Sequence, residues 1–197
     1  MPGTGFWHWF GPLALTVCWG LFALVWLVGA GYNRRKAPAA RERTGTVPVW
    51  LVAVAAVLAL QWVIPVSVWR PLTVRAPWLV VAGVVVLVAG TAFTLWARAE
   101  LGTMWTSAAV VKDDHALRTE GPYALTRHPI YTGLLGMIVG TVLIDGLGAS
   151  LILLLAVVVI LQMKIRAEER LLDRNLDGAY QEYRRRVPRL IPRPHGR

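Results

Sequence analysis

Long apolar runs interrupted by short basic connections constrain this chain more than anything else in it. In lipid, every backbone N–H and C=O must be satisfied within the segment, so runs of this length can span only as helices. The expected spans are about Phe10 to Gly29, Val49 to Val68, Trp78 to Ala97, Pro129 to Ile144, and one starting near Leu147 and ending near Met163. Pro65 lies near the far end of the second, where a kink is tolerable. Asp145-Gly146 reads as a tight turn, making the last two spans an antiparallel hairpin. The fifth span is expected to continue as a helix into water, with a charged tail from Glu168 to Arg193. The predicted fold is all-α: a polytopic membrane protein of about five transmembrane helices with a cytoplasmic C-terminal helical cap. Residues 1–97 supply three spans and 98–197 a polar section, the hairpin and the tail, all in one structural unit.

Composition supports this reading. Of the 197 residues, 56% are hydrophobic, above the roughly one-half usual for soluble domains. Six of the ten Trp residues (Trp7, Trp9, Trp50, Trp69, Trp78, Trp105) lie near span ends, where the headgroup zone favours indoles. Met1 to His8 has no basic residue, so the first apolar run reads as a retained span rather than a secretory signal. The net charge of +10 would suggest nucleic acid in a soluble protein. Here it is confined to particular loops, which points to topology and anionic lipid, with no nucleic-acid partner. With five spans, one side receives nineteen of the twenty-one basic residues and the other only Arg70 and Arg75. Basic loops stay inside, so the amino terminus is expected outside and the tail in the cytoplasm. The single Cys18 excludes an internal disulfide, reads as a structural thiol, and gives no metal cluster. No metal site is expected. The spans differ in length and flanks, and no internal repeat favours an inverted-repeat transporter.

Chemistry concentrates in Glu120 to Gly133, a polar, glycine-bounded stretch between two apolar runs. Pro129 suits the first position of a helix and biases His128 toward an extended conformation. Arg127 and His128 would then stand at a helix mouth, where free amides and the dipole favour an anion. Arg, His and Tyr are also common interface anchors at span ends, so these residues alone do not make a site. Beyond the fifth span, Lys164 and Glu168 are four apart and share a helix face, with Glu169 turned from Lys164. Taken alone, Lys164 reads first as a snorkelling side chain. Tyr180 and Tyr183 share a face of a later helix, which can lie on an anionic surface or close over a site.

The ordered set resembles the isoprenylcysteine carboxyl methyltransferase family and its phospholipid methyltransferase relatives. It comprises Gly121 to Tyr123, Arg127-His128-Pro129-Ile130-Tyr131-Thr132-Gly133, a hairpin, Glu168-Glu169, and Tyr180 to Pro192. The resemblance covers roughly residues 98–192 and implies an integral membrane enzyme using S-adenosylmethionine. Carried over residue by residue, it implies cofactor contacts at His115, Ala116, Leu117, Arg118, Tyr123, His128, Pro129, Ile130, Tyr131 and Glu168. Arg127 or His128 at the helix mouth suits the cofactor's carboxylate. Lys164 falls where the family usually has an arginine near the acceptor. Lysine lacks the bidentate fork that suits a carboxylate, so either Arg166 substitutes or the acceptor is not a carboxylate. His128 is a candidate proton acceptor. Gly178 comes one place later than the family's turn glycine. The implied substrate is a lipophilic small molecule or lipid-linked acceptor, reached from the membrane lipid. Two other classes remain at this point: an NADPH-dependent membrane reductase of the sterol-reductase type, and a non-enzymatic lipid-binding subunit. The last expects Glu168 to lie far from His128 and Tyr131.

Overall fold

The computed structural model describes residues 4–36, 40–43, 68, 73–74, 76–102, 110–112, 117–148, 150–176 and 178–192. Among the described residues the helices are α1 (Thr4–Lys36), α2 (Pro77–Leu101), α3 (Pro122–Leu125), α4 (Pro129–Asp145), α5 (Ser150–Asn175) and α6 (Ala179–Arg186). A short antiparallel ribbon joins β1 (Ala40–Arg43) to β2 (Val110–Lys112). The fold is that of an all-helical polytopic membrane protein, and the ribbon is an addition the sequence did not suggest. Among the described residues, three helices are long and apolar enough to cross a membrane, and α4 is a shorter apolar helix. The second expected span lies outside the described residues.

α1 is longer than expected, 33 residues against the twenty between Phe10 and Gly29. At 1.5 Å per residue it extends about 50 Å, beyond a hydrocarbon core of about 30 Å. Its backbone runs on through the basic positions 34–36. Pro12 is accommodated near the helix start, with Thr16 Oγ1 donating to the Pro12 carbonyl at 2.9 Å. Trp9 and Trp78 are exposed near the starts of α1 and α2, as boundary anchors would be.

Among the described helices, α2 packs most extensively against α4. Lipid supplies no hydrophobic drive between helices, so close backbone approach over small residues must do that work. A Cβ added at Gly90 would stand 2.7 Å from the Gly133 carbonyl and 2.7 Å from the Met137 amide. At Gly140 it would stand 2.6 Å from the Leu87 amide. Gly133 meets the Thr94 hydroxyl, itself fully buried. Leu87 and Met137, both without exposed surface, complete this seam together with Cys18 of α1. Trp19 Nε1 donates to Thr141 Oγ1 at 3.1 Å, tying α1 to α4.

α4 and α5 form the expected hairpin. Asp145 ends α4, and Gly146 adopts φ 100°, which an L side chain rarely adopts. Val74 and Leu147 exchange amide–carbonyl bonds of 2.8 and 3.1 Å, pinning the approach to α2 against the hairpin turn. After α5 the chain turns at Gly178, in the left-handed conformation at φ 85°. Tyr180, Tyr183 and Val187 then bury one face of α6 against Leu117, Leu172 and Leu176.

The glycine seam has a direct test. Gly90→Ala presses a methyl onto backbone that cannot yield and should cost about 1–3 kcal/mol of stability. Gly20→Ala, where nothing lies within 4 Å of the added carbon, should leave the thermal midpoint unchanged or higher. Thermal unfolding of the two variants in detergent reads the difference.

Candidate active site

The polar cluster is built where the start of α4 meets the far end of α5. Gly121 at φ 56° and Pro122 start the single turn of α3, which buries Tyr123. His128 follows at φ −125° and ψ 62°, off the helical region as the following proline demands. Pro129 then opens α4 and is fully buried, while Ile130 is half-buried. Tyr131, in the first turn, donates its hydroxyl to Glu168 Oε1. His128 stacks on Tyr131 with centroids 5.8 Å apart, and its Nδ1 lies 3.7 Å from Glu168 Oε2. Lys164 Nζ stands 5.4 Å from the centre of the Tyr131 ring, a cation–π arrangement. Lys164 and Glu168 thus share one face of α5 directed at Tyr131, as their spacing indicates. Glu168 is not dispersed from His128 and Tyr131, as a mere scaffold would have it.

Glu169 is the residue sequence reasoning missed. Its side chain is 5% exposed and receives Arg127 Nη1 at 2.7 Å. Arg189 reaches the same carboxylate through Nη2 at 2.6 Å and Nε at 3.3 Å. His128 Nε2 lies 3.4 Å from Glu169 Oε1, so the imidazole is bracketed by two carboxylates. The available signal was charge balance: Arg127 beside a buried helix start needs an anion, and Glu168 faces elsewhere.

Residues 187–190 form a strap across the start of α4. The Pro188 carbonyl accepts from the Arg127 amide at 2.9 Å, and the Arg189 carbonyl from the His128 amide at 3.2 Å. Thr126 Oγ1 donates to the Arg189 carbonyl at 2.8 Å and Thr132 Oγ1 to the Leu190 carbonyl at 2.6 Å. The two amides just before α4 are therefore taken by the strap rather than left for an anion, contrary to the sequence expectation. Tyr183 secures the strap's root by donating its hydroxyl to the Tyr123 carbonyl at 2.6 Å. Arg127 Nη1 also donates to the Tyr180 hydroxyl at 3.4 Å.

The other predicted residues fall differently. Leu117 packs under the Tyr180–Tyr183 cluster, and Arg118 is exposed. His115 and Ala116 lie outside the described residues. Arg166 is exposed, about 200° around α5 from Lys164, so it does not join the face that meets Tyr131. Gly178, one position late for the family's turn, supplies the left-handed residue that α6 needs at its start.

A helical membrane protein with a buried ionic cluster at the mouth of a two-helix hairpin is the class these features define. Residues 82–174, just under half of the chain, match the model of the isoprenylcysteine carboxyl methyltransferase (ICMT) family. The matched region contains α4, all but the last residue of α5 and the Lys164–Glu168–Glu169 run, while α6 and Arg189 lie beyond it. Among curated relatives, the cobalt-zinc-cadmium resistance protein CzcN of Cupriavidus metallidurans is 33% identical over 97 residues, 48% of this chain and 44% of the relative. The nickel-cobalt-cadmium resistance protein NccN of Alcaligenes xylosoxydans xylosoxydans is 31% identical over 97 residues, 48% of this chain and 45% of the relative. The protein-S-isoprenylcysteine O-methyltransferase of Schizosaccharomyces pombe is 35% identical over 80 residues, 40% of this chain and 34% of the relative. The matched part of the chain thus spans less than half the length of each of these relatives.

Two outcomes test this geometry. Glu169→Gln leaves Arg127 buried without its counter-charge and should cost on the order of 3–5 kcal/mol, read as a loss of thermal stability in detergent. Burial pushes the phenols of Tyr123, Tyr180 and Tyr183 above the ordinary tyrosine range. The unfolded chain therefore releases these protons first, at about pH 10. Stability should be fully present below that pH and fall as pH rises through the folded-state values. A Tyr183→Phe variant should show a shallower alkaline decline in a pH series of thermal midpoints.

Proposed function

We propose that the protein is an S-adenosylmethionine-dependent methyltransferase acting on a lipophilic acceptor at the inner membrane boundary. The observation that carries this reading is the convergence of Tyr131, His128, Lys164 and Glu168, from two helices, at the end of the hairpin. Support also comes from the family match over 82–174 and from the similarity to a yeast isoprenylcysteine O-methyltransferase.

The donor set fits the cofactor. Glu168, with its side chain 20% exposed, offers acceptor oxygens to an ammonium or to ribose hydroxyls. Arg127 Nε is a buried donor with no partner among the described residues, and it suits an acceptor atom. Tyr123, His128, Pro129, Ile130 and Tyr131 would supply the flat and polar walls, with Leu117 and Arg118 leading in beside them. When bound, the cofactor supplies a methyl group activated on a sulfonium.

The chain's own contribution is to orient and to exclude water. Tyr131 holds Glu168 in place through its hydroxyl, and the stacked His128 fixes the plane of the Tyr131 ring. Lys164 is positioned to hold the head of the acceptor at near-attack distance, where alignment provides most of the acceleration. His128, between two carboxylates, is placed to hold or move a proton. Arg166 takes no part on this reading, and Arg127 acts chiefly through Glu169. The acceptor would enter sideways from the bilayer between the spans. The amino terminus lies outside and α6 on the cytoplasmic side, with residues 1–97 and 98–197 working as one unit.

Titration calorimetry of the purified protein with S-adenosylmethionine tests the site. Glu168→Ala and His128→Ala should each weaken binding at least about tenfold, the scale of one lost charge-assisted contact. Unchanged affinity in both would refute the assignment. A thermal shift with NADPH but none with S-adenosylmethionine would move the protein to the reductase class.

A further inference from the structure

The outer face of α5 carries a feature that the site does not use. Leu151, Leu155, Val159 and Met163 are exposed at 40, 66, 58 and 60% and follow one another at four-residue intervals. Three residues on, the same face continues as Arg166, Arg170 and Arg174, all exposed. At 3.6 residues per turn the seven positions fall within an arc of about 140°. The exposed residues of α5 therefore change abruptly from apolar to cationic along one face. The acidic residues of this part of α5, including Asp173 within the same arc, are each engaged by another group. Glu168 meets Tyr131, Glu169 is closed in by Arg127 and Arg189, and Asp173 receives Arg184 Nη1 at 3.2 Å. Among the described residues, none of the three arginines has a carboxylate partner.

We infer that Arg166, Arg170 and Arg174 form a docking ladder for the phosphate-bearing headgroups of anionic phospholipids in the adjoining leaflet. Continuity fixes the occupant: a face that meets acyl chains through Met163 meets headgroups immediately below. Arg166 lies about 4.5 Å along the axis from Met163 and Arg170 about 10.5 Å, spanning the headgroup zone. Arg174 extends the stripe toward water, still within a Debye length of the charged surface. Guanidinium forks match phosphate oxygens bidentately. The arginines of α6 are poorer candidates, because Glu182 takes Arg185 at 3.6 Å and Arg186 at 2.9 Å, and Asp173 takes Arg184. The ladder is independent of methyl transfer and stands whether or not that reading holds.

The test uses the full chain in phosphatidylcholine vesicles with spin-labelled phosphatidylglycerol or phosphatidylcholine as probe. The wild type should select the anionic probe in its boundary shell. R166Q/R170Q/R174Q should lose at least about threefold of that selectivity, as expected when three basic residues near an anionic surface are removed. R170Q alone should lose part of it, which keeps the test open if the triple variant fails to fold. R184Q/R185Q should retain it. Inorganic phosphate, against chloride at equal ionic strength, should not compete specifically. A wild type without selectivity, an R170Q variant identical to wild type, or selectivity removed by R184Q/R185Q instead, would each overturn the proposal. So would specific displacement by phosphate, which would mark a free-anion site rather than a lipid one.

Discussion

The cluster depends on one buried carboxylate. Glu169 is reached by the guanidinium that precedes α4 and by the guanidinium of the strap, segments that are far apart in sequence. Arg127 could not remain in so dry a position alone, since an uncompensated buried charge costs several kcal/mol, whereas Arg189 reaches in from the half-exposed strap. The same carboxylate borders His128 and so shares in orienting the ring that stacks on Tyr131. Glu168, one residue earlier on α5, is left facing Tyr131 and Lys164. Two adjacent acids thus have separate tasks because a helix turns them about 100° apart: one binds the architecture together, the other faces the proposed chemistry.

Around this knot the backbone provides most of the remaining constraint. Three successive carbonyls of the strap accept from the amides and hydroxyls of 126–132, so the segment is held regardless of its side chains. Tyr183 adds a bond to the Tyr123 carbonyl from beneath. This arrangement makes the start of α4 rigid on its outer side. The inner side is fixed by the glycine seam with α2, where backbone touches backbone.

Much of this was legible in the sequence. Apolar run lengths gave α4 to within a residue and α2 and the hairpin to within three or four, because lipid leaves the chain few alternatives. The four-residue interval put Lys164 beside Glu168, and Pro129 set both the helix start and the departure of His128 from it. What stayed hidden was non-local. The β1–β2 ribbon joins segments about seventy residues apart, and nothing in either announces the other. The strap's bonds come from carbonyls that every residue type possesses, so no pattern of side chains reveals them. Glu169 was passed over because helical spacing tells which residues share a face but not which face is inward. Arg166 lies on the far side of α5 from Lys164, as its two-residue offset implies.

The seam between α2 and α4 also works as a gauge of depth. Gly83, Gly90 and Thr94 on one helix engage Gly140, Gly133 and their neighbours on the other in a single register. Sliding the pair would bring valines or leucines into gaps that admit no carbon at all. How far the histidine and tyrosine at the mouth of α4 sit from the bilayer midplane is therefore written into the glycine positions of α2. Moving those glycines by one helical turn would shift the cluster vertically by about 5.4 Å, enough to carry it from one dielectric layer into the next.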